Sequence, residues 1–592
     1  MGAKTMTKIV DALPTRARIQ GRSSDHAVEV DAMSRPTLAT RLRALLGLVA
    51  VAATLLAVPA DAVPVPEGYT FTDAWFTAYD GTPLHAGVFL PADRTDDEKH
   101  PVLLTSTPYT SPRGGAAGTN MSGPEIRFPE LFEHDAWRKG RWAYVQVDVR
   151  GFGGSGGCFQ YYMPDEARDV KTAVEWAAAQ GWSTGKVGMW GKSYDAAQQV
   201  LALTTRPRGL AGTVIQAPGL SAYTALWMNG VHYATGRYAT TSVYAADDLV
   251  PTQNPETVGS PAYAAAMASS LTTSPTCRSD ALVGMNTQSE RSSPFWMGRE
   301  PYRGAAGSTV PVFWSHGFWD ANTKPVHLDI WRSLRGPKQA WFGQYTHLRG
   351  QEEGVGRAGF LDESVRFLDR HVRGVKVAKK DPVVTVQEGN GEGRWRTEAA
   401  WPPADAKPWR MPVRAGTYVD EPGNTGDGSG AGQGHLTVTA PLPWAAHLAG
   451  EARIELDVTT IAPNAQVITH LYDIDEAGAA TLVTRGAFAT QRTGKLRPAY
   501  ALYPQDWVFA AGHRIGVHVS AADDQWWSPG VSQTTVKVDA GSLTLPLLRF
   551  VRDRYVAGDL SDGMSGSPWT VAEARLEEST VETPPPPRRQ RR

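Results

Sequence analysis

The chain has 592 residues, 42% of them apolar, with 59 glycines, 42 prolines, 20 tryptophans and a formal net charge of −1. That length exceeds one ordinary hydrophobic core and points to about two to four domains. The turn-rich, aromatic-rich composition excludes a coiled coil or a disordered chain, and the near-neutral charge leaves no electrostatic footprint for nucleic acid.

Arg41 and Arg43 precede an apolar run, Ala44–Val58, followed by Ala60-Asp61-Ala62. A positive flank, a short apolar stretch and a small-residue site read as a secretory signal over residues 1–62, cleaved after Ala62. The run is about 15 residues, short of the roughly 20 that span a bilayer, so no stable membrane span is expected; an uncleaved anchor is the alternative. The segment before Met33 is long and polar for a signal, which makes Met33 an alternative start. The protein is thus expected outside the cell. Its two cysteines, Cys158 and Cys277, lie beyond the cleavage site, where an oxidising compartment favours a disulfide over two buried thiols. Two cysteines cannot build a four-ligand zinc site and no HExxH pattern is present, so neither metal nor other cofactor is expected.

From Pro101 to about Ala217 short apolar strands alternate with amphipathic helices. Val102-Leu103-Leu104, Ala143–Val149, Val187–Trp190 and Thr213–Ala217 read as strands. Asp165–Gln180 reads as a helix, with Val170, Ala173, Val174 and Ala177 on one face, and Tyr194–Thr205 as another. This alternation predicts a mostly parallel sheet covered on both faces. Between Gly219 and Ser308 it breaks into a stretch rich in Tyr, Ala, Ser and Met, read as a helical insertion that walls a pocket. Strands resume at Val310–Ser315 and Gln339–Phe342, and a helix over Leu361–Val372 closes the unit. After Lys380 short alternating segments (Val383–Val386, His435–Thr439, Ala452–Val458, Gln466–Tyr472, Arg514–Val519) predict a β-sandwich of jelly-roll type. The expected domains are a catalytic α/β-hydrolase domain over 63–218 and 309–380, a helical cap over 219–308, an all-β jelly-roll sandwich over 381–577 and a disordered tail over 578–592.

Gly191-Lys192-Ser193 follows a strand and precedes a helix, the setting of a nucleophile elbow. A glycine before the serine permits the sharp turn, and the helix N-terminus aims free N–H groups at the charge that develops in acyl transfer. Asp195 stands where a strict G-x-S-x-G has its second glycine. An α/β-hydrolase orders its triad Ser, Asp or Glu, His. Asp320 and His347 both follow strands, at the ends where active-site loops gather, and fit the acid and the base. Of the other histidines, His316 precedes the acid, while His327 and His371 fall in expected helices.

With these residues the chain resembles the CocE/NonD hydrolases, which group cocaine esterase, α-amino-acid ester hydrolases and X-Pro dipeptidyl-peptidases. The resemblance runs from about Gly68 to Glu577. It is carried by Thr107-Pro108-Tyr109, Asp148–Gly151 with Gly154-Ser155-Gly156, Gly191–Tyr194, Gly317–Asp320, Gly343–His347, Arg394-Trp395 with Trp401-Pro402-Pro403, and Ala511–Arg514. It implies Ser193 as nucleophile, His347 as base and then acid, Asp320 as its orienting partner, and an oxyanion hole from the Tyr194 N–H and the Tyr109 hydroxyl. Gln344-Tyr345 replace the family's usual Pro-Trp, and Ala196 a frequent glycine.

Substrate class is the open point. A dipeptidyl-peptidase or amino-acid ester hydrolase must hold an ammonium, for which Asp195, Asp247-Asp248 and Glu300 are candidates; a simple esterase needs no such site, and Trp227, Tyr233, Phe295 and Trp319 are the aromatic candidates to line its pocket. The leading expectation is X-Pro dipeptidyl-peptidase-like release of N-terminal dipeptides, with a carboxylesterase or α-amino-acid ester hydrolase as alternative. A non-catalytic carbohydrate-binding or cell-surface interaction protein is the alternative of another class, against which the ordered triad types argue. The expected partner is a small-molecule or peptide substrate, and no oligomeric state is read from the sequence.

Overall fold

The computed structural model describes residues 64–109, 127–234, 260–273, 277–300, 302–389, 392–423, 434–563, 569–571, 576–577 and 580–588. The expected signal segment with Met33, and the candidates Asp247 and Asp248, lie outside these residues. By contacts the chain divides after Pro59, and every described residue falls in the second unit, Ala60–Arg592.

The strands of the first part are β1 (Tyr69–Thr77), β2 (Pro83–Pro91), β3 (His100–Thr107), β4 (Ala143–Asp148), β5 (Ser183–Lys192), β6 (Leu210–Gln216), the short hairpin β7 (Trp227–Met228) and β8 (Val231–His232), β9 (Val312–Gly317), β10 (Lys338–Gly343), β11 (Val384–Gln387) and β12 (Trp395–Glu398). All but the hairpin form one ten-stranded sheet in the order β1-β2-β4-β3-β5-β6-β9-β10-β11-β12. Pairing is parallel from β4 to β11 and antiparallel at both margins. Every residue of β3 and β4 is buried, as expected for parallel strands with both faces covered. Helix α1 (Pro164–Ala179) lays Val170, Ala173, Val174 and Ala177 against the sheet, and α2 (Tyr194–Thr205) follows β5 after the single residue Ser193.

β11 departs from expectation. Val383–Val386 reads as a sandwich strand, yet β11 pairs in parallel with β10, Ala340 opposite Val384, and extends the catalytic sheet beyond residue 380. A short apolar run carries the same pattern in either setting, so pairing partner decides. His327 also departs: it sits in left-handed backbone (φ 60°) before the helix Asp329–Ser333, stacked on Tyr302 at 4.2 Å. Within 219–308 the described residues hold the helices Ala222–Leu226, Pro261–Thr273, Cys277–Thr287, Pro294–Met297 and Tyr302–Ala305 beside the β7–β8 hairpin.

The second part is all β. One six-stranded sheet contains Ala446–Thr460, Ala499–Phe509 and Thr535–Leu548; another contains Gly434–Thr439, Gln466–Ile474 and Arg514–Ser520. Ile454, Leu456, Val538 and Leu543 of the first share a core with Val467, Leu471 and Val517 of the second, so the two sheets bury their alternating apolar faces against each other. The expected tail is corrected. Thr580–Val581 pairs in parallel with Val438-Thr439, and Arg588 is held to Arg549 and Val551 by backbone hydrogen bonds. A strand edge supplies these residues with the partners that water would otherwise provide. Among the described residues no helix is long and apolar enough to cross a membrane.

Candidate active site

Ser193 occupies the turn between β5 and α2 with φ 63° and ψ −121°, a strained conformation for a side-chain-bearing residue and one concentrated at active sites. Its N–H is fixed by the Gln216 carbonyl of β6 at 3.0 Å, and its carbonyl accepts from Ala197 at 3.0 Å as α2 begins. Gly191 is required sterically. A Cβ there would stand 2.4 Å from the Cβ of Asp195, in the first turn of α2. The collision is therefore with the helix rather than with a neighbouring strand, and Asp195 is tolerated in place of the second glycine because the first has no side chain.

Three donors and acceptors converge on this turn. The Tyr109 hydroxyl, just beyond β3, donates toward Ser193 Oγ at 3.3 Å, and the Tyr194 N–H lies 3.5 Å from the same hydroxyl. Beneath them the Tyr194 hydroxyl donates to Glu166 of α1 at 2.7 Å, and Gln198 donates to the same oxygen at 3.0 Å. Burial pushes the Glu166 carboxyl up to about 7, against the lowering effect of those two hydrogen bonds. Tyr161 and Tyr162, which sequence reasoning passed over, both sit at positive φ, and Tyr162 packs on Tyr194 with ring centroids 4.9 Å apart.

Asp320 and His347 meet although 27 residues apart: His347 Nδ1 is 2.8 Å from Asp320 Oδ2. Asp320 is fully buried, yet its carboxylate accepts from the backbone of Asn322 and Thr323 and from the Thr323 hydroxyl (2.8, 3.0 and 2.7 Å). His316 Nε2 stands 3.3 Å away. Burial alone would raise its pKa; the charges and hydrogen bonds of His347 and His316 outweigh that and hold it well below the usual carboxylate range. Lys192, next to the serine, reaches across to donate to the His347 carbonyl at 3.1 Å. That contact fixes the loop of one strand end to the elbow of another.

The unusual Gln344 is fully buried and bonded on both ends of its amide. Its Nε2 donates to Gln505 and to the Asp506 carbonyl, each at 2.9 Å, while Oε1 accepts from Trp319 at 2.8 Å. The all-β part thus shapes the loop that carries His347. Trp319 is partly buried and packed against both the sandwich core and the sheet core, a wedge between them.

The other predicted contacts divide. Trp227 and Phe295 belong to the aromatic cluster that includes Tyr109 and Tyr194. Tyr233 is fully buried, its hydroxyl 2.5 Å from that of Tyr503 and its ring 4.1 Å beneath the Lys324 ammonium. Lys324 donates to the Ala225 carbonyl at 2.9 Å, and burial pulls it down to about 7. Trp227 and Tyr233 line a cavity of about 350 Å³ with Arg291, Glu451 and Arg453, but Ser193, Asp320 and His347 are not among its lining residues. Asp195, a candidate ammonium receptor, is fully buried and ion-paired with Arg127. Glu300 is likewise engaged, by Arg291 at 2.5 Å and Arg303 at 3.0 Å. Cys158 is buried and disulfide-bonded; the side chain of Cys277, the chain's other cysteine, lies outside the described residues. Among the described residues no group of His, Cys, Asp and Glu could hold a metal ion.

A serine on a strained strand-to-helix turn, in a mostly parallel sheet whose later strand ends deliver a buried acid and its histidine, defines a serine hydrolase of α/β-hydrolase fold. The model of the X-Pro dipeptidyl-peptidase (S15 family) matches residues 80–349, and that of the X-Pro dipeptidyl-peptidase C-terminal non-catalytic domain matches residues 376–554. These two consecutive matches place the chain in the X-Pro dipeptidyl-peptidase (S15) family. A Bacillus cereus protein provisionally named a Xaa-Pro dipeptidyl-peptidase is 25% identical over 69% of this chain and 76% of its own length. A Mycobacterium bovis protein provisionally named a serine esterase is 23% identical over 83% and 97%. Among solved structures, a CocE/NonD family hydrolase from Staphylococcus aureus superposes with TM-score 0.63 at 15% identity, covering 83% of this chain and all of that one. An α-amino acid ester hydrolase gives TM-score 0.63 at 17% identity, covering 83% and 99%.

Proposed function

We propose that the protein is a secreted serine hydrolase that releases N-terminal X-Pro dipeptides through an acyl-enzyme on Ser193. The observations that carry the chemistry are the Ser193 elbow with the Tyr109 hydroxyl 3.3 Å from its Oγ, and His347, bonded to buried Asp320 at 2.8 Å on a loop that Lys192 ties to the elbow through the His347 carbonyl at 3.1 Å. Ser193 Oγ attacks the acyl carbon and His347 takes its proton. The oxyanion forms between the Tyr194 N–H and the Tyr109 hydroxyl, and His347 returns the proton to the leaving amine. Water then attacks the ester with His347 again as base. Asp320 keeps the imidazole in the tautomer that accepts from serine. The disulfide at Cys158 supports an oxidising, extracellular setting.

A peptidase of this kind must balance a substrate ammonium. Asp195 and Glu300 are already neutralised by arginines, which leaves Asp247 and Asp248 as its candidates among the carboxylates singled out in the sequence. Ester hydrolysis is the second reading, favoured by those same three arginine pairs. Parallel turnover of a Gly-Pro anilide and a short-chain aryl ester, with Ser193→Ala as control, decides between them. Anilide cleavage lost in the alanine variant supports the peptidase. Ester cleavage alone transfers the assignment to an esterase.

A further inference from the structure

Asp195 and Arg127 take no part in the steps above, yet they form a buried ion pair directly behind the nucleophile. Asp195 is in the first turn of α2 with its Cβ in the space that Gly191 leaves open. Arg127, only 3% exposed, brings its guanidinium to that carboxylate. The same guanidinium lies 4.8 Å over the ring of Tyr109 and 5.2 Å over that of Phe128. Arg127 thus brings Tyr109 and Asp195 of α2 to one guanidinium. A buried carboxylate is costly without a partner, and a planar guanidinium can satisfy it while presenting a flat cationic face to a phenol ring. The contacts form one line: nucleophile helix, Asp195, Arg127, the Tyr109 ring, and the Tyr109 hydroxyl beside Ser193 Oγ.

We infer that the Arg127–Asp195 pair is the positioning device for the oxyanion donor Tyr109, and that Asp195 does not receive a substrate amine. The inference rests on the reading of Tyr109 as that donor. It explains why a charged residue stands in the elbow where a strict motif has glycine. Arg127 holds the phenol by its face, and Asp195 ties Arg127 to the same helix whose N-terminal N–H completes the hole. The two donors thereby move as one body with the nucleophile.

The test uses the full-length protein, with an aryl acetate and an aryl ester of glycine as substrates, and thermal melts to establish folding. Arg127→Lys keeps the charge for Asp195 but loses the planar face over Tyr109. It should lower kcat on both esters about 10-fold, with KM within about twofold, and should add nothing further in a Tyr109→Phe background. Should Arg127→Lys melt early, Arg127→Met with Asp195→Asn removes both charges together and carries the same expectation. Wild-type kcat in both with a slow Tyr109→Phe variant overturns the positioning role alone. A loss that multiplies undiminished with that of Tyr109→Phe also overturns it, because Arg127 would then act elsewhere. A rise in KM confined to the glycine ester in Asp195→Asn makes Asp195 an ammonium receptor and overturns the inference. Wild-type kcat in Tyr109→Phe instead removes the oxyanion reading beneath it.

Discussion

His347 Nδ1 lies 2.8 Å from the same Asp320 oxygen that stands 3.3 Å from His316, so one fully buried carboxylate faces two imidazoles. The anion survives burial because these rings and the Thr323 hydroxyl and backbone N–H surround it. Asp320→Asn keeps the volume but offers an N–H to His347 Nδ1, which favours the wrong tautomer. The expected result is a loss of about 10⁴-fold in kcat with a near-normal melting temperature. A loss below about tenfold would remove Asp320 from the triad.

Lys192 gives a gentler perturbation of the same arrangement. Its ammonium joins the elbow to the His347 carbonyl at 3.1 Å, so Lys192→Met frees the loop without touching a reacting atom. A fall of about 10-fold in kcat with little change in KM is expected, since small misplacements of a catalytic group are costly. Steady-state kinetics on an aryl ester read this out; an unchanged kcat would show that the sandwich contacts of Gln344 hold the loop unaided.

His85 supplies a pH signature in stability. It is buried between Asp148 at 2.8 Å and Asp73 at 2.7 Å. Burial would lower its pKa, but the charges and hydrogen bonds of those carboxylates prevail and raise it to about 9. The folded state thus keeps a proton that the unfolded chain releases near pH 6.5. The stabilisation is complete below that pH and is lost as pH rises through about 9, on the order of 3 kcal/mol in all. Melting temperatures from pH 6.5 to 9.5 should fall more steeply for the wild type than for His85→Gln. Parallel slopes would contradict the assignment.

Arg396 joins the two parts of the molecule. From β12 it forms a bidentate pair with Asp506 of the strand Ala499–Phe509, at 2.8 and 2.7 Å, both groups fully buried. Arg396→Met leaves Asp506 with the His447 ring at 2.8 Å and the Trp401 indole N–H at 3.3 Å as its remaining side-chain partners. It should cost about 3–5 kcal/mol in denaturant unfolding. Adding Asp506→Leu should recover much of that, because the orphaned charge is then removed; a cost below about 1 kcal/mol for the single variant would show the pair to be dispensable.

The strand–helix alternation and the turn at Ser193 were legible in the sequence because period, glycine and helix start agree there: α2 begins and ends at the residues expected, Tyr194 and Thr205. Asp320 and His347 were legible for a different reason, their position after strands in the triad order. What escaped depends on pairing across long separations. Val384–Gln387 carries too few residues to say which sheet it joins, and Thr580–Val581 reads as polar tail until a strand edge is placed beside it. The Arg127 contacts escaped because an arginine 68 positions before Asp195 has no local pattern to mark it. Gln344 looked like a departure from its family, and it is the sandwich, through Gln505 and Asp506, that gives this residue its place.

The most direct test of the central claim is to label the folded protein with a fluorophosphonate and locate the adduct by peptide mass mapping. One adduct is expected, on Ser193, absent from Ser193→Ala and slowed in Asp320→Asn. A folded protein that takes up no label, or carries it on another residue while Ser193→Ala retains full turnover, would contradict it.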